Sequence, residues 1–387
     1  MKVLVVGDYC LKGRSLSSNK DELYNALSSI SACVNSSDYS IVNLECSVHN
    51  GQHNPIKKIG PNLSGGIKAL ENLKDMGFKC LALANNHFAD YGSSAVEESL
   101  KQIDNYGFDR VGAGCDFEEA AKTLIVEIKG KKLAIVNCCE HEFTIAGERK
   151  GGCNPLDIVE QYKAVLNARK EADYVLIIVH GGTEHYQLPT PRMQKTYRFF
   201  LDIGADVVVN CHQHCFSGYE IYNGKHIFYG LGNFFFDWPE MRNSMWNKGY
   251  MLQLDFSDVI SFELLPYSQC DDTIGIRLLT EKEKAVFEND IARLNSVIKN
   301  EKALQEEFSQ WIKKHIDDYL WAFHKKTSKW EQYKHKIYRL LGKNSQIKKS
   351  VLSLDMMMYL LSFTRCESHR DIFIDLLERE TRVSQDE

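Results

Sequence analysis

The feature that most narrows what this chain can fold into is an alternation. From residue 1 to about residue 210, short apolar runs ending in polar clusters alternate with longer stretches of helical spacing, the pattern of successive βα units. The runs are "KVLVV", "SIVNL", "CLALA", "KLAIVN", "YVLIIV" and "DVVVN". Between them, residues 19–35, 65–77, 92–107, 155–172 and 191–204 carry apolar side chains at helix spacing. The expected fold class is therefore α/β. After residue 215 the texture changes: "YEIYNGKHIFYG" sets Asn223-Gly224 between two alternating segments, a type I′ hairpin signal. "GYMLQLDF" and "VISFELLPY" predict two more strands, so a β layer is expected to close a first domain, residues 1–268. From about residue 281 the chain is polar and helix-spaced, which predicts a helical C-terminal domain over 269–387.

Composition removes some function classes. The 387 residues carry a formal net charge of −5, with no basic surplus of the kind a nucleic-acid partner demands. The segment "MKVLVVGDYC" is too short in apolar residues for a secretory core, and no run reaches the roughly 18 to 20 of a membrane span. A cytoplasmic protein, reaching a membrane only through a partner, is the expectation. The 12 cysteines contain no CxxC pair, which argues against a disulfide framework or a thiolate zinc site. Residues 325–349 hold nine Lys/Arg against the single acid Glu331, either a solvated helix face or a contact for an anionic surface.

The chemistry gathers where strands end. Asp8 follows "VLVVG", Glu45 follows "IVNL", Asn86 and His87 follow "LALAN", His180 follows "VLIIV", and His212 and His214 follow "VVVNC". Each alone has a structural explanation, as a helix cap, a strand end or a buried polar group. In α/β sheets, however, ligands collect beyond the carboxyl ends of the strands, so residues spread over some 200 positions are expected to converge. Mixed oxygen and imidazole donors suit Mn, Fe or Zn. A carboxylate bridging two such ions holds them roughly 3.5 to 4 Å apart, the layout of a two-metal hydrolase.

In the order "GDYC", "NLECS", "LANNHFADYG", "HGGTEHYQLPTPRMQ", "GADVVVNCHQH" and "YGLGNFFFD", residues 1 to about 240 resemble the CapA family of poly-γ-glutamate and capsule biosynthesis proteins. The resemblance implies a calcineurin-like metallophosphoesterase sandwich, β-sheets flanked by helices, with the C-terminal third outside the match. It makes Asp8, Glu45 and His214 ligands of one divalent ion, with Glu45 bridging to a second completed by Asn86, His180 and His212. His87 would then be the general acid that protonates a leaving group. The chain departs from the wider metallophosphatase pattern in three places: Cys10 stands where a histidine is usual, Glu45 where an aspartate bridges, and Cys211 where a glycine precedes the last His-x-His. Cys10 is a possible thiolate substitute, whereas Cys211 and Cys215 are expected to be packing.

Glu184, His185, Tyr186, Asn233, Glu140 and His141 are further candidates for contact with substrate. Three functional readings follow. The first is a metal-dependent hydrolase or transferase in capsule, poly-γ-glutamate or other surface-polymer biosynthesis, acting on an anionic polymer, a peptide or a phosphoester. The second, by similarity to CapA-like peptide epimerases, is metal-independent acid-base exchange at an α-carbon. The third is a non-catalytic scaffold for a polymer synthase.

Overall fold

The structure, a computed structural model, describes residues 1–324, 333, 337, 354–365, 374 and 377. The basic segment 325–349 therefore lies outside the described residues, apart from Tyr333 and Ile337. The chain forms two compact units, Met1–Gln305 and Glu306–Glu387. The second is described only as helix, the end of one over Glu301–His324 and another over Leu354–Arg365, with Met356, Met358 and Tyr359 exposed.

The first unit begins with β1 (Lys2–Cys10), then α1 (Arg14–Ser17), α2 (Lys20–Leu27), α3 (Ser31–Asn35) and β2 (Tyr39–Leu44). Next come α4 (Ile67–Asp75), β3 (Cys80–Ala82), α5 (Gly92–Asn105), β4 (Asp109–Val111), β5 (Ala113–Gly114) and α6 (Phe117–Ala120). The hairpin β6 (Leu124–Ile128) and β7 (Lys131–Cys139) leads to β8 (Gly152–Cys153), α7 (Ile158–Glu171), β9 (Tyr174–His180), α8 (Pro191–Asp202) and β10 (Val207–Cys211). The remaining strands are β11 (Tyr219–Tyr222), β12 (Lys225–Phe228), β13 (Asn233–Phe236), β14 (Lys248–Asp255), β15 (Ser261–Gln269) and β16 (Ile276–Leu278), and α9 (Glu281–Ile298) follows.

Local chemistry starts these helices where the spacing places them. Asn19 and Glu22 form a reciprocal cap on α2, Asp157 caps α7, and Thr190 caps α8 ahead of Pro191 at its first turn. The predicted hairpin forms at Asn223 and Gly224, both with positive φ, 51° and 77°.

Among the described residues there are two large sheets and a small two-stranded one, β5-β8. One large sheet has the order β16-β15-β14-β1-β2-β3-β4, with β13 also paired to β1; the other has β11-β12-β10-β9-β7-β6. Strands β1, β2, β3 and β4 run parallel, as do β7, β9, β10 and β12. Helices cover the sheets, which is the expected α/β sandwich. At Gly7, β1 changes partner, leaving β14 after Val5 and meeting β13 from Asp8 onward. A Cβ at Gly7 would overlap the carbonyl oxygen of Gly232, so only glycine allows this close crossing. The first unit continues past residue 268 because β16 pairs with β15 and α9 packs on β11, so the change of texture and the edge of the unit do not coincide. Among the described residues, no helix is long and apolar enough to cross a membrane.

Candidate metal centre

The carboxyl ends of the parallel strands of both large sheets open onto one buried cluster. Asp8 sits in β1, Glu45 just past β2, Asn86 and His87 past β3, His180 at the end of β9, and His212 and His214 past β10. All seven are at least nine-tenths buried. Asp8 Oδ1 accepts a hydrogen bond from Asn43 Nδ2 at 2.6 Å, and Oδ2 accepts the His212 backbone N–H at 3.2 Å. His214 Nδ1 lies 3.5 Å from Asp8 Oδ2, while Glu45 Oε1 is 3.7 Å from both His180 Nε2 and His214 Nε2. His180 Nε2 is 3.0 Å from Asn86 Oδ1 and 3.0 Å from His212 Nδ1. Three overlapping triads, Glu45-His180-His212, Glu184-His212-His214 and Asp8-Glu45-His214, each bring donor atoms within 4.8 Å of one another.

Two properties make this cluster fit a divalent cation. Both carboxylate oxygens of Glu45 are buried without a hydrogen-bond partner, although buried polar atoms are nearly always paired. Burial, reinforced by the Asp8 charge, raises the Glu45 carboxyl well above the usual range. Burial and the neighbouring imidazoles hold His180 well below its ordinary value, and His212 is pushed down to about 4. Neutral imidazoles present lone pairs to a metal. Only His214 runs the other way: burial opposes its charge, but the bond to Asp8, the Asp8 and Glu184 charges and the bond to Asn233 together outweigh burial and raise it. Oxygen and nitrogen donors with no thiolate match Mn, Fe or Zn.

The backbone here is constrained in a way the sequence pattern does not disclose. His212 and His214 take positive φ, 95° and 55°. For non-glycine residues this costs about 1–3 kcal/mol each and persists only where the surroundings enforce it. Asp8 enforces it at His212. Gln213, pointing the other way, donates to the carbonyls of Tyr186 and Leu188 at 2.7 and 3.2 Å.

Cys10 is turned into the core beside Cys46, and burial raises its thiol well above the usual range. Its sulfur belongs to none of the donor triads found among the described residues. Cys211 and Cys215 are likewise buried, Cys211 raised well above the usual range and Cys215 pushed up to about 12 by burial.

His87 Nδ1 lies 2.7 Å from Asp90 Oδ2, which leaves Nε2 as the atom to carry or release a proton toward a ligand. Burial lowers this histidine's pKa, with the Asp90 bond and charge acting against the burial. Lys58, from the loop before α4, reaches the Asn86 carbonyl at 2.9 Å, comes within 3.2 Å of His87 Nδ1 and pairs with Asp90. Sequence reasoning missed Lys58 and Asp90, which share no periodicity with the strands. It also missed Asn43, whose amide lies between Asp8 and His180 Nδ1, 3.2 Å away. Its signal was present: Asn43 is two residues before Glu45 on one strand end, the spacing that shares a face.

The substrate-contact candidates separate in space. Asn233 is wholly buried; its Oδ1 meets His214 Nδ1 at 2.8 Å, so it orients a histidine. Tyr186 is buried, and its carbonyl anchors Gln213. Glu140 pairs with Arg192, and His141 is exposed. Its neighbour Glu142, not singled out from sequence, accepts from Asn86 Nδ2 at 3.3 Å. Glu184 and His185 are half-exposed at the mouth, with imidazoles lowering the Glu184 pKa against the effect of its own burial.

Comparison with known proteins adds family evidence. The chain is 30% identical over 225 residues to the capsule biosynthesis protein CapA of Bacillus anthracis, which covers 56% of this chain and 55% of that one. It is 33% identical over 188 residues to the PGA biosynthesis protein CapA of Bacillus subtilis strain 168, covering 47% and 50%. The chain thus spans about half the length of the curated relatives it matches. Among solved structures, a phosphatase from Mycoplasma pneumoniae aligns with a TM-score of 0.47 and 16% identity, covering 70% of this chain and 95% of that one. A 5′-nucleotidase from Candida albicans aligns with a TM-score of 0.38 and 11% identity, covering 81% and 57%. The sequence model of the bacterial capsule synthesis protein family PGA_cap matches residues 2–238, more than half of the chain, and the chain belongs to that family.

Proposed function

We propose that this chain is a metal-dependent hydrolase or group-transfer enzyme of the metallophosphatase type, acting on an anionic polymer, peptide or phosphoester in the making of a capsule, poly-γ-glutamate or a related surface polymer. The observation that carries the reading is Glu45: a fully buried carboxylate whose two oxygens lack partners, encircled by Asp8, His180, His212 and His214. Asp8, Glu45 and His214 would hold one divalent ion, and Glu45, Asn86, His180 and His212 a second. When bound, such ions supply Lewis acidity and charge neutralisation at a phosphoryl or acyl group.

The chain's own residues do the remaining work. His87 Nδ1–H donates to Asp90, which leaves Nε2 as the atom that takes up and releases a proton. Its lowered pKa makes the ring neutral in the free site; a dianionic group docking beside it favours the imidazolium, which can then protonate the leaving oxygen. Lys58 and Asp90 keep that ring in place, and Asn233 does the same for His214.

The test is elemental analysis of the purified chain, followed by chelation, reloading with Mn²⁺, Fe²⁺ or Zn²⁺, and a screen of phosphomonoesters, phosphodiesters and γ-glutamyl peptides. Activity is expected to vanish on chelation and return with metal. His212→Ala is expected to lower metal occupancy and cost at least about 100-fold in activity. Full metal content and activity in that variant would reject the site. Epimerisation that survives chelation would favour the acid-base reading, and binding of polymer without turnover the scaffold reading.

A further inference from the structure

We propose that Glu184 is an additional metal ligand of this centre, acting from the solvent side on the ion held by His214; this rests on the metal-centre reading above. The three triads have a specific connectivity. Glu45, His212 and His214 each belong to two triads, while Asp8, His180 and Glu184 each complete one. Glu184 thus stands to the His212-His214 pair as Asp8 stands to Glu45 and His214.

Its position is set by backbone. Thr183 to Tyr186 form a tight turn, closed by the Tyr186 N–H to the Thr183 carbonyl at 3.2 Å, with His185 at φ 60° in the third place. This is the positive-φ position of a type II turn, normally taken by glycine or asparagine. The His185 N–H donates to the Gln213 carbonyl at 2.8 Å, and the Gln213 side chain donates back to the Tyr186 carbonyl. Just before the turn, Gly182 has φ 104°, and a Cβ there would lie 2.8 Å from Met193 Sδ and 3.3 Å from Gln213 Cγ. The two loops are therefore locked together, and Glu184 is carried to the two histidines by main-chain geometry.

There is also a coordination deficit for it to fill. β1 contributes Asp8 alone, because the next side chain that could serve, Cys10, is packed in the core. The ion at Asp8, Glu45 and His214 then has three side-chain ligands, fewer than the four of tetrahedral zinc or the six of an octahedral ion. A substrate-contact role for Glu184 fits less well. Its carboxylate would repel an anionic substrate, whereas it attracts the cation held by His214.

The test uses the full chain, stripped with chelator, and the variants Glu184→Gln and Glu184→Ala. Mn²⁺ affinity is read by titration calorimetry, metal count by elemental analysis, and ligand geometry by the visible spectrum of bound Co²⁺. The variants are expected to bind at least about 10-fold more weakly, with an altered Co²⁺ spectrum, since even groups that only support a ligand are worth about 10- to 100-fold. Replacing a half-exposed side chain is expected to leave the melting midpoint of the stripped protein unchanged, so a weaker site is not a misfolded one. If the wild type binds Mn²⁺ and both variants match it in affinity, count and spectrum, the Glu184 assignment falls and the metal centre stands. If the stripped wild type binds no divalent ion, both fall.

Discussion

At the scale of single residues, Glu45 shows how a site can be at odds with stability. Its side chain is wholly buried, both oxygens lack partners, and Asp8 lies close by. A buried polar group left unpaired costs about 1–3 kcal/mol, and a nearby like charge adds to that. Glu45→Gln is therefore expected to raise the melting midpoint of the metal-stripped protein, or leave it unchanged, while abolishing the rise that Mn²⁺ produces in the wild type. Thermal unfolding with and without metal reads both effects; a stripped variant that melts well below stripped wild type would mean that Glu45 serves packing. Much of this neighbourhood was legible in the chain. Asp8, Glu45, Asn86, His180, His212 and His214 are all reached by following apolar runs to their ends. What was illegible was support: Lys58 and Asp90 meet His87 through loops without periodicity, and the positive φ values of His212 and His214 are set by contacts.

At the scale of elements, the long buried strands were readable and the short ones were not. The runs in β1, β2, β7, β9 and β10 are continuous because both faces are covered. Two-residue strands such as β5 and β8 are too short for periodicity to register, and β6 alternates exposed and half-buried residues at an edge. The joints between elements were hidden too. Arg14, opening α1, bonds Asp237 just past β13 through its backbone N–H at 2.7 Å and Nε at 3.0 Å, and Arg242 adds bonds of 2.9 Å from Nε and Nη2. Arg14 also donates to the carbonyls of Asp271 and Asp272, which ties the loop after β15 to the same point. Although burial acts to raise it, the two arginines hold the Asp237 carboxyl below its ordinary value. A depressed folded pKa stabilises above the unfolded value, about 3.9, and that stabilisation is lost as pH falls through the folded value. Asp237→Asn is thus expected to cost about 3 kcal/mol at pH 7, at the low end for a broken buried pair because both arginines are part-exposed. The gap between variant and wild type should close as pH drops below about 4. A gap that stayed constant in urea melts from pH 7 to pH 3 would rule out the ionised carboxylate as its source.

At the scale of the whole molecule, the question is where the first folding unit ends. Polarity and helical spacing after residue 281 read as a separate helical domain, because an amphipathic helix that covers a sheet and one that belongs to a bundle show the same period. Contacts separate the two cases. Thr280 and Glu283 cap α9, and Phe287, Ile291, Leu294 and Ile298 form its buried face. Phe287 packs on Phe216 and Tyr250 at ring distances of 5.0 and 5.8 Å. Asn295 accepts the Tyr219 backbone N–H at 2.7 Å, and the Ile298 carbonyl accepts from Gln194 at 2.7 Å. Phe216 lies two residues beyond His214, so this packing backs the loop that carries both cluster histidines. Burying four such apolar side chains is worth about 1.5–3 kcal/mol each, roughly 6–12 kcal/mol together. That is on the scale of a whole domain's stability, about 5–15 kcal/mol. A chain ending at residue 275 is therefore expected to lose cooperative unfolding and Mn²⁺ binding together, whereas a chain ending at residue 305 is expected to keep both. Urea melts and metal titrations of the two truncations decide the matter. A 1–275 chain that melts cooperatively at the full-length midpoint would show that α9 is dispensable to the unit, and the boundary would belong before it.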